Sequence, residues 1–233
     1  MKFLDIINLK YLRKYRRAIF MHPRYLPASA WKQHVPFAFF LTAVLEPKKI
    51  VELGSFLGAS YFAFCQAVKE FQFNTECYAV DTWQGDKHTG NYDDDIYQTV
   101  VSANYYYRDF SYLLRMTFDE AAKLPELNDI DLCHIDGYHT YEAVKHDFET
   151  WLPKMSEKGV MIFHDTSVIK DDFGVWRLWN EVSLKYPSFS FEHGHGLGVL
   201  LVGDKVKKDL RRLTRDKHIT QYEQFFNVAG ASI

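Results

Sequence analysis

From residue 31 to residue 202, short apolar runs alternate with longer stretches whose apolar positions recur every three or four residues. A short run that ends in a polar residue or a glycine predicts a buried strand, and the 3.6-residue period predicts a helix packed on it. Helical stretches are predicted over 31–45, 61–70, 141–152 and 175–181. Strands are predicted at 50–52, 76–80, 113–116, 130–136 and 160–163, followed by an antiparallel hairpin of 189–193 and 198–202 around 194–197. Strand and helix in alternation predict an α/β fold with a mostly parallel sheet. Thr117-Phe-Asp-Glu120 reads as a capping box that opens a helix. Residues 84–107, rich in Gly, Asp and His before Tyr105-Tyr-Tyr107, read as a polar loop, either a substrate lid or plain surface. The tyrosines read as packing.

The ends of the chain differ from this middle. Residues 1–30 carry Lys10, Arg13, Lys14, Arg16, Arg17 and Arg24 against Phe3, Leu4, Ile7, Leu9 and Leu12, a helix with one apolar face ending before His22-Pro23. Such a helix either touches an anionic surface, including the periphery of a membrane, or a partner chain, or docks with its charges in solvent. Residues 204–233 read as a charged helix and tail. The expected division is therefore a basic extension (1–30), a central domain (31–203) and a C-terminal segment (204–233).

Composition narrows the class. With 47% hydrophobic and 17% aromatic residues, the 233-residue chain can build a sizeable core, which argues against disorder. A formal net charge of −2 gives no whole-chain field for nucleic acid. Cys65, Cys77 and Cys133 show no CxxC spacing, so neither a disulfide framework nor a zinc site is expected. The longest apolar stretch, 35–45, is interrupted by Pro36 and is too short to span a bilayer; no signal peptide is evident, and a cytoplasmic location is expected.

Candidate chemistry begins at Gly54-Ser-Phe-Leu-Gly58, between the first strand and its helix. Two glycines permit a sharp turn and close approach of a ligand, and the helix opening offers free N–H groups to an anionic group. A dinucleotide loop needs a second glycine where Phe56 stands, so NAD is disfavoured. Glu52 closes the first strand. Asp81 closes the second, where a carboxylate accepts two hydrogen bonds from a ribose diol, with Thr82 and the Trp83 ring beside it. The fourth and fifth strands deliver Asp136 and His164-Asp165 at their carboxyl ends, and His139 follows three residues after Asp136. Such groups at buried strand ends are costly unless partnered, which marks a site. His34 is a weaker candidate, either structural or within reach of a pocket above the sheet.

Several motifs fall in register: Val51-Glu-Leu-Gly-Ser-Phe-Leu-Gly58, Val80-Asp-Thr-Trp-Gln-Gly-Asp86, Arg115-Met-Thr-Phe-Asp-Glu-Ala121, His134-Ile-Asp-Gly-Tyr-His-Thr-Tyr141, Trp151-Leu-Pro153, Phe163-His-Asp-Thr166 and Gly194-His-Gly-Leu-Gly198. Together, over about residues 31–203, they resemble a bacterial class I S-adenosylmethionine (SAM)-dependent methyltransferase of the family often encoded with, or fused to, glycosyltransferases. The resemblance implies a Rossmann-like seven-stranded, mostly parallel sheet with helices on both faces and the last strand antiparallel. It implies SAM among Glu52, Gly54, Ser55, Gly58, Asp81, Thr82, Trp83, Thr117 and Asp136. The chain is also similar, more distantly, to metal-dependent O-methyltransferases acting on sugars and natural products. Those hold magnesium with an Asp after the fourth strand and an Asp-Asp pair after the fifth. Here Asp136 matches the first position and His164-Asp165 replaces the pair, so Asp136, His164 and Asp165 are the candidate ligands of a magnesium or manganese ion. Histidine points to a softer ion than magnesium.

Methyl transfer to a sugar or glycan hydroxyl needs the hydroxyl's proton removed by a base or acidified by a metal. His139, with an ordinary imidazole pKa, is the candidate base, and Asp136 and Asp165 orient it or bind a cation. Two other readings stay open. A non-catalytic SAM-binding module of a glycan-assembly complex is compatible with the basic N-terminus and the incomplete metal pattern. His134-x-Asp136 with a later histidine also imitates the ligand triad of non-haem iron oxygenases. The partner is expected to be a small-molecule or glycan acceptor, and a homodimer is possible through the N-terminal helices.

Overall fold

A computed structural model describes residues 12–215 and 219–233. Among the described residues a two-stranded ribbon pairs Gly85–Asp86 with Gly90–Asn91, and the separate main sheet has seven strands, β1 (Lys49–Leu53), β2 (Glu76–Asp81), β3 (Ser111–Arg115), β4 (Ile130–Ile135), β5 (Met155–His164), β6 (Ser188–Phe191) and β7 (Leu197–Leu201). They lie in the order β3-β2-β1-β4-β5-β7-β6. The first five run parallel, and β7 is antiparallel to both β5 and β6. The expected Rossmann-like sheet is thus the observed one. The chain reverses direction across the sheet between β1 and β4, the point where open α/β sheets hold ligands above their carboxyl ends.

Alternation along the central strands distributes their side chains to two cores. Ile50, Leu132 and Ile162 face one cluster with helices α1 (Val35–Leu45) and α2 (Ala59–Phe71). Val51, Leu53, Cys133 and Phe163 face the other with α4 (Tyr141–Trp151) and α5 (Val175–Val182). Helix α1 is apolar on every side and buried along its whole length, as such a helix must be.

Three segments depart from the sequence reading. Residues expected as a polar loop contain α3 (Asp94–Asn104), whose Ile96, Tyr97, Val100 and Ala103 meet the core at helical spacing. The polar residues before it masked that period. Tyr107 packs as expected, but Tyr105 and Tyr106 are exposed. The C-terminal segment comprises a short charged helix, α6 (Lys208–Leu213), then α7 (Ile219–Ala231), which buries Tyr222, Phe225 and Phe226 in the core, Phe226 against Phe37, Phe40 and Phe191. Spacing of i, i+3 and i+4 gives α7 an apolar stripe. A Cβ at Gly230 would stand 2.0 Å from the Gln33 carbonyl oxygen, so α7 lies directly on the backbone that leads into α1. Of the expected N-terminal helix, residues 1–11 lie outside the described residues. The next eight form two short turns, Leu12–Tyr15 and Arg16–Ile19, with Leu12, Ala18 and Ile19 in the core and Arg16 and Arg17 exposed.

Candidate functional site

A cavity of about 590 Å³ opens above the carboxyl ends of β1, β2, β4 and β5. One wall is the glycine turn. Gly54 and Gly58 have φ of +86° and +78°, the left-handed region that favours glycine. A Cβ on Gly54 would stand 2.2 Å from the Asp136 carbonyl oxygen, so only glycine lets this turn pass the end of β4. Phe56 also has a positive φ, +45°. Asp81 holds the turn: Oδ2 accepts N–H bonds from Ser55 (2.9 Å) and Phe56 (3.0 Å), and Oδ1 accepts one from Trp83 (2.7 Å). Three of about four acceptor directions of the carboxylate are taken, which leaves one for a ribose hydroxyl.

Other members of the expected cofactor set divide. Ser55, Thr82, Thr117 and Asp136 line the cavity. Thr117 also caps the short helix Phe118–Ala121 through a complete capping box. Ser55 Oγ is buried without a hydrogen-bond partner, and Ala59 and Ser60 present the start of α2 to the cavity. An orphaned hydroxyl beside a glycine turn and a helix N-terminus fits a ligand with a carboxylate and a ribose, as SAM has.

Glu52, Gly58 and Trp83 do not line the cavity; Gly58 is the N-cap of α2. Glu52 is fully buried on the α1–α2 side of the sheet, beside His134 in the β1–β4 register, and receives the His134 Nδ1–H at 2.7 Å. Strand parity explains the miss: Glu52 shares a face with Ile50, beneath the ligand-binding end. Trp83 is 1% exposed; its indole N–H donates to the Phe56 carbonyl at 2.9 Å and its ring packs on Tyr97, so it braces the turn from behind. The aromatic side chains that do line the cavity include Trp31, Phe56, Tyr92, Phe118 and Tyr138.

The opposite wall gathers Asp136, His139, His164, Asp165 and His195. His139 Nε2 lies 2.9 Å from Asp165 Oδ2 and 3.7 Å from Asp136 Oδ1. Its ring stacks on Phe173 at 4.7 Å, and His88 Nδ1 stands 3.4 Å from His139 Nδ1. His88 Nε2 in turn meets Asp172 at 2.6 Å, joining the 84–93 segment to the loop after β5. Burial alone would lower the His139 pKa, but Asp136 and Asp165 raise it to about 9. The expected ordinary value is thus corrected: near neutrality His139 carries a proton. Burial alone would raise the two aspartates. For Asp136, His164, His139 and His134 reverse this; for Asp165, His139 and His164 do, so both carboxyls sit well below the usual carboxylate range.

Sequence reasoning missed His195, which lines the cavity with Nδ1 3.1 Å from Asp165 Oδ1. His195 has φ +69° between Gly194 (+55°) and Gly196 (+90°), and Asp165 has φ +60°. Non-glycine residues held in this region are strained, and such strain collects at functional sites. The Gly-His-Gly spelling was the available signal. His34 lies below the cavity, fully buried, with Nε2–H on the Gly194 carbonyl at 3.1 Å and its ring stacked on His193 at 4.7 Å. His134 is equally occupied: Nε2 accepts the Trp31 indole N–H at 3.1 Å while Nδ1–H is given to Glu52. With both nitrogens engaged on a parallel sheet, the oxygenase triad has no structural basis.

Ligand atoms of Asp136, His139 and Asp165 lie within 4.8 Å of one another, the described trio that converges as metal ligands do. His164, expected among the ligands, is turned differently, with Nε2 2.9 Å from the Gly194 carbonyl and Nδ1 3.3 Å from Asp136 Oδ1. Both nitrogens face acceptors and so carry hydrogens. As they stand, these residues do not fit a divalent ion, because the two carboxylates are already matched by two protonated imidazoles.

Comparison with known proteins agrees with this geometry. Residues 51–166 match the model of a family described as a methyltransferase domain. An uncharacterized protein of Sinorhizobium fredii, y4gI, is 47% identical over 210 residues, 88% of this chain; the chain spans 23% of that relative's length. Among solved structures, a putative caffeoyl-CoA O-methyltransferase from Staphylococcus aureus superposes with a TM-score of 0.57 at 14% identity, covering 84% of this chain and 92% of the other. The O-methyltransferase TomG of Streptomyces achromogenes, involved in tomaymycin synthesis and solved with SAM, gives 0.55 at 12% identity over 83% and 86%. These likenesses establish the fold. Residues 51–166 are thus similar to a methyltransferase domain, on a sheet of the same Rossmann-like fold as solved methyltransferases.

Proposed function

We propose that this chain transfers a methyl group from SAM to a hydroxyl of a sugar or glycan-related acceptor. The observation that carries the reading is the shared cavity: a glycine turn held by Asp81 on one wall, and the Asp136–His139–Asp165–His195 cluster on the other. Ser55, Thr82, Thr117 and the turn would hold the cofactor, with the remaining acceptor direction of Asp81 on its ribose. SAM supplies an electrophilic methyl on a sulfonium. No lysine or arginine lines the cavity among the described residues, while Asp81, Asp86, Asp136 and Asp165 do. With Asp136 and Asp165 matched by His139 and His164, the carboxylates of Asp81 and Asp86 leave the cavity negative, which favours a cationic cofactor and disfavours a phosphorylated acceptor and so supports a neutral hydroxyl.

Most of the work in such a displacement is positioning. Phe173 and His88 fix the His139 ring, and Asp165 fixes its Nε2. His139 can take the hydroxyl proton only after releasing its own. Its raised pKa therefore predicts turnover that climbs with pH toward about 9. Once formed, the imidazolium is held by the two aspartates.

The test is calorimetric titration of S-adenosylhomocysteine into chelator-treated protein, followed by transfer of labelled methyl from SAM to glycan fractions across pH. Binding that Asp81→Ala weakens about tenfold or more supports the cofactor assignment. Absence of binding by the unaltered chain would falsify the reading.

A further inference from the structure

We propose that the imidazolium of His164 occupies the electrostatic role of a divalent cation in this site, so that the carboxylates of Asp136 and Asp165 work without a metal. The cavity reading defines the site, but the inference stands on hydrogen positions and charge balance. The Gly194 carbonyl only accepts, so His164 Nε2, 2.9 Å away, must donate. His164 Nδ1 lies 3.3 Å from Asp136 Oδ1 and 3.6 Å from Asp165 Oδ1. A bare Nδ1 there would set its lone pair against those of two carboxylates, so Nδ1 donates as well. A ring that donates from both nitrogens is a cation.

This cation cannot easily move. His164 is 5% exposed. Its ring is boxed by Trp31 at 6.3 Å, His34 at 5.8 Å and His195 at 6.1 Å. Gly194 anchors its far nitrogen and also receives the His34 N–H, so the turn carrying that carbonyl is held from two sides. With His139 donating to Asp165, two negative charges face two positive ones. A dication added to this group would leave a surplus of about two charges where His164 and Asp165 are each 5% exposed, and uncompensated buried charge costs several kcal/mol per ion. The divalent ion would have to displace protons from both imidazoles, and the His164 ring is oriented so that losing its Nδ1 proton turns a lone pair on Asp136. His164 is therefore a positioning residue. It keeps Asp136 and Asp165 ionised and in place, and through them the His139 ring.

Three measurements on the full chain decide this. Manganese chloride is titrated by calorimetry into chelator-treated wild type and into His164→Asp, with S-adenosylhomocysteine titrated in parallel. Nitrogen-15 spectra of wild type are recorded at about pH 8, where a free imidazole is neutral. Wild type is expected to show no one-site manganese binding up to about 1 mM, the weak end of dedicated cation sites. His164→Asp, which exchanges the cation for a third carboxylate, is expected to bind one manganese at least about tenfold tighter than wild type, the scale on which residues around a metal site act. Both His164 nitrogens are expected to show protonated shifts. Micromolar manganese binding by wild type, or a neutral His164 spectrum, overturns the proposal. If His164→Asp does not fold, the two wild-type measurements decide alone. Loss of S-adenosylhomocysteine binding with these results intact would sink the methyl-transfer reading and leave the charge assignment standing.

Discussion

The two walls of the cavity are held by different means. At the glycine turn the holding groups are backbone: three N–H bonds to Asp81, a left-handed Gly54 against the Asp136 carbonyl, and the start of α2. At the opposite wall they are side chains drawn from the segment after β4, the end of β5 and the residue after it, and the 193–196 turn, held by charge. Backbone N–H donors are present whatever side chains the turn carries, so that wall needs few particular residues. A balance of two aspartates and their histidines needs every one of those side chains.

Breaking the comparison at the charged wall has the largest expected effect. His139→Ala should reduce turnover by about 10²–10⁴-fold, the usual weight of general acid–base catalysis, while S-adenosylhomocysteine affinity stays within about twofold. Comparable losses in both would show that the walls are not separable. Next comes Gly54→Ala, which places a Cβ at a positive φ against backbone that cannot yield. It should cost about 3 kcal/mol by thermal unfolding and abolish cofactor binding along with it. Smallest is Thr117→Ala, where loss of the capping box should cost about 1 kcal/mol in the same unfolding experiment, with cofactor affinity weakened only slightly. A large loss of affinity there would assign Thr117 to the ligand rather than to its helix.

The same contrast explains what could be read from the chain. The order of strands, the glycine turn and Asp81 are local patterns, and the sheet places them as expected. Glu52 and Trp83 were misplaced because proximity in sequence does not say which face of β1 a side chain takes, or that an indole would brace a turn from behind. Helix α3 was hidden by the polar stretch before it, and its apolar period is evident only once Val100 is seen buried. Asp136 and His139 could be singled out from their spacing. The partnership of Asp165 with His195 could not, since a hydrogen bond across 30 residues and two left-handed backbones leaves no periodic trace.

The contact between His88 and Asp172 has a consequence for how such a chain diversifies. It joins two surface loops above a floor of strands, and Asp172 is 60% exposed. An ion pair of that kind contributes little to stability, on the order of 1 kcal/mol or less. Descendants can therefore exchange Asp172, and with it part of the outline an incoming molecule meets, at little cost, whereas His88 and Phe173 in the same loops are tied to the His139 ring.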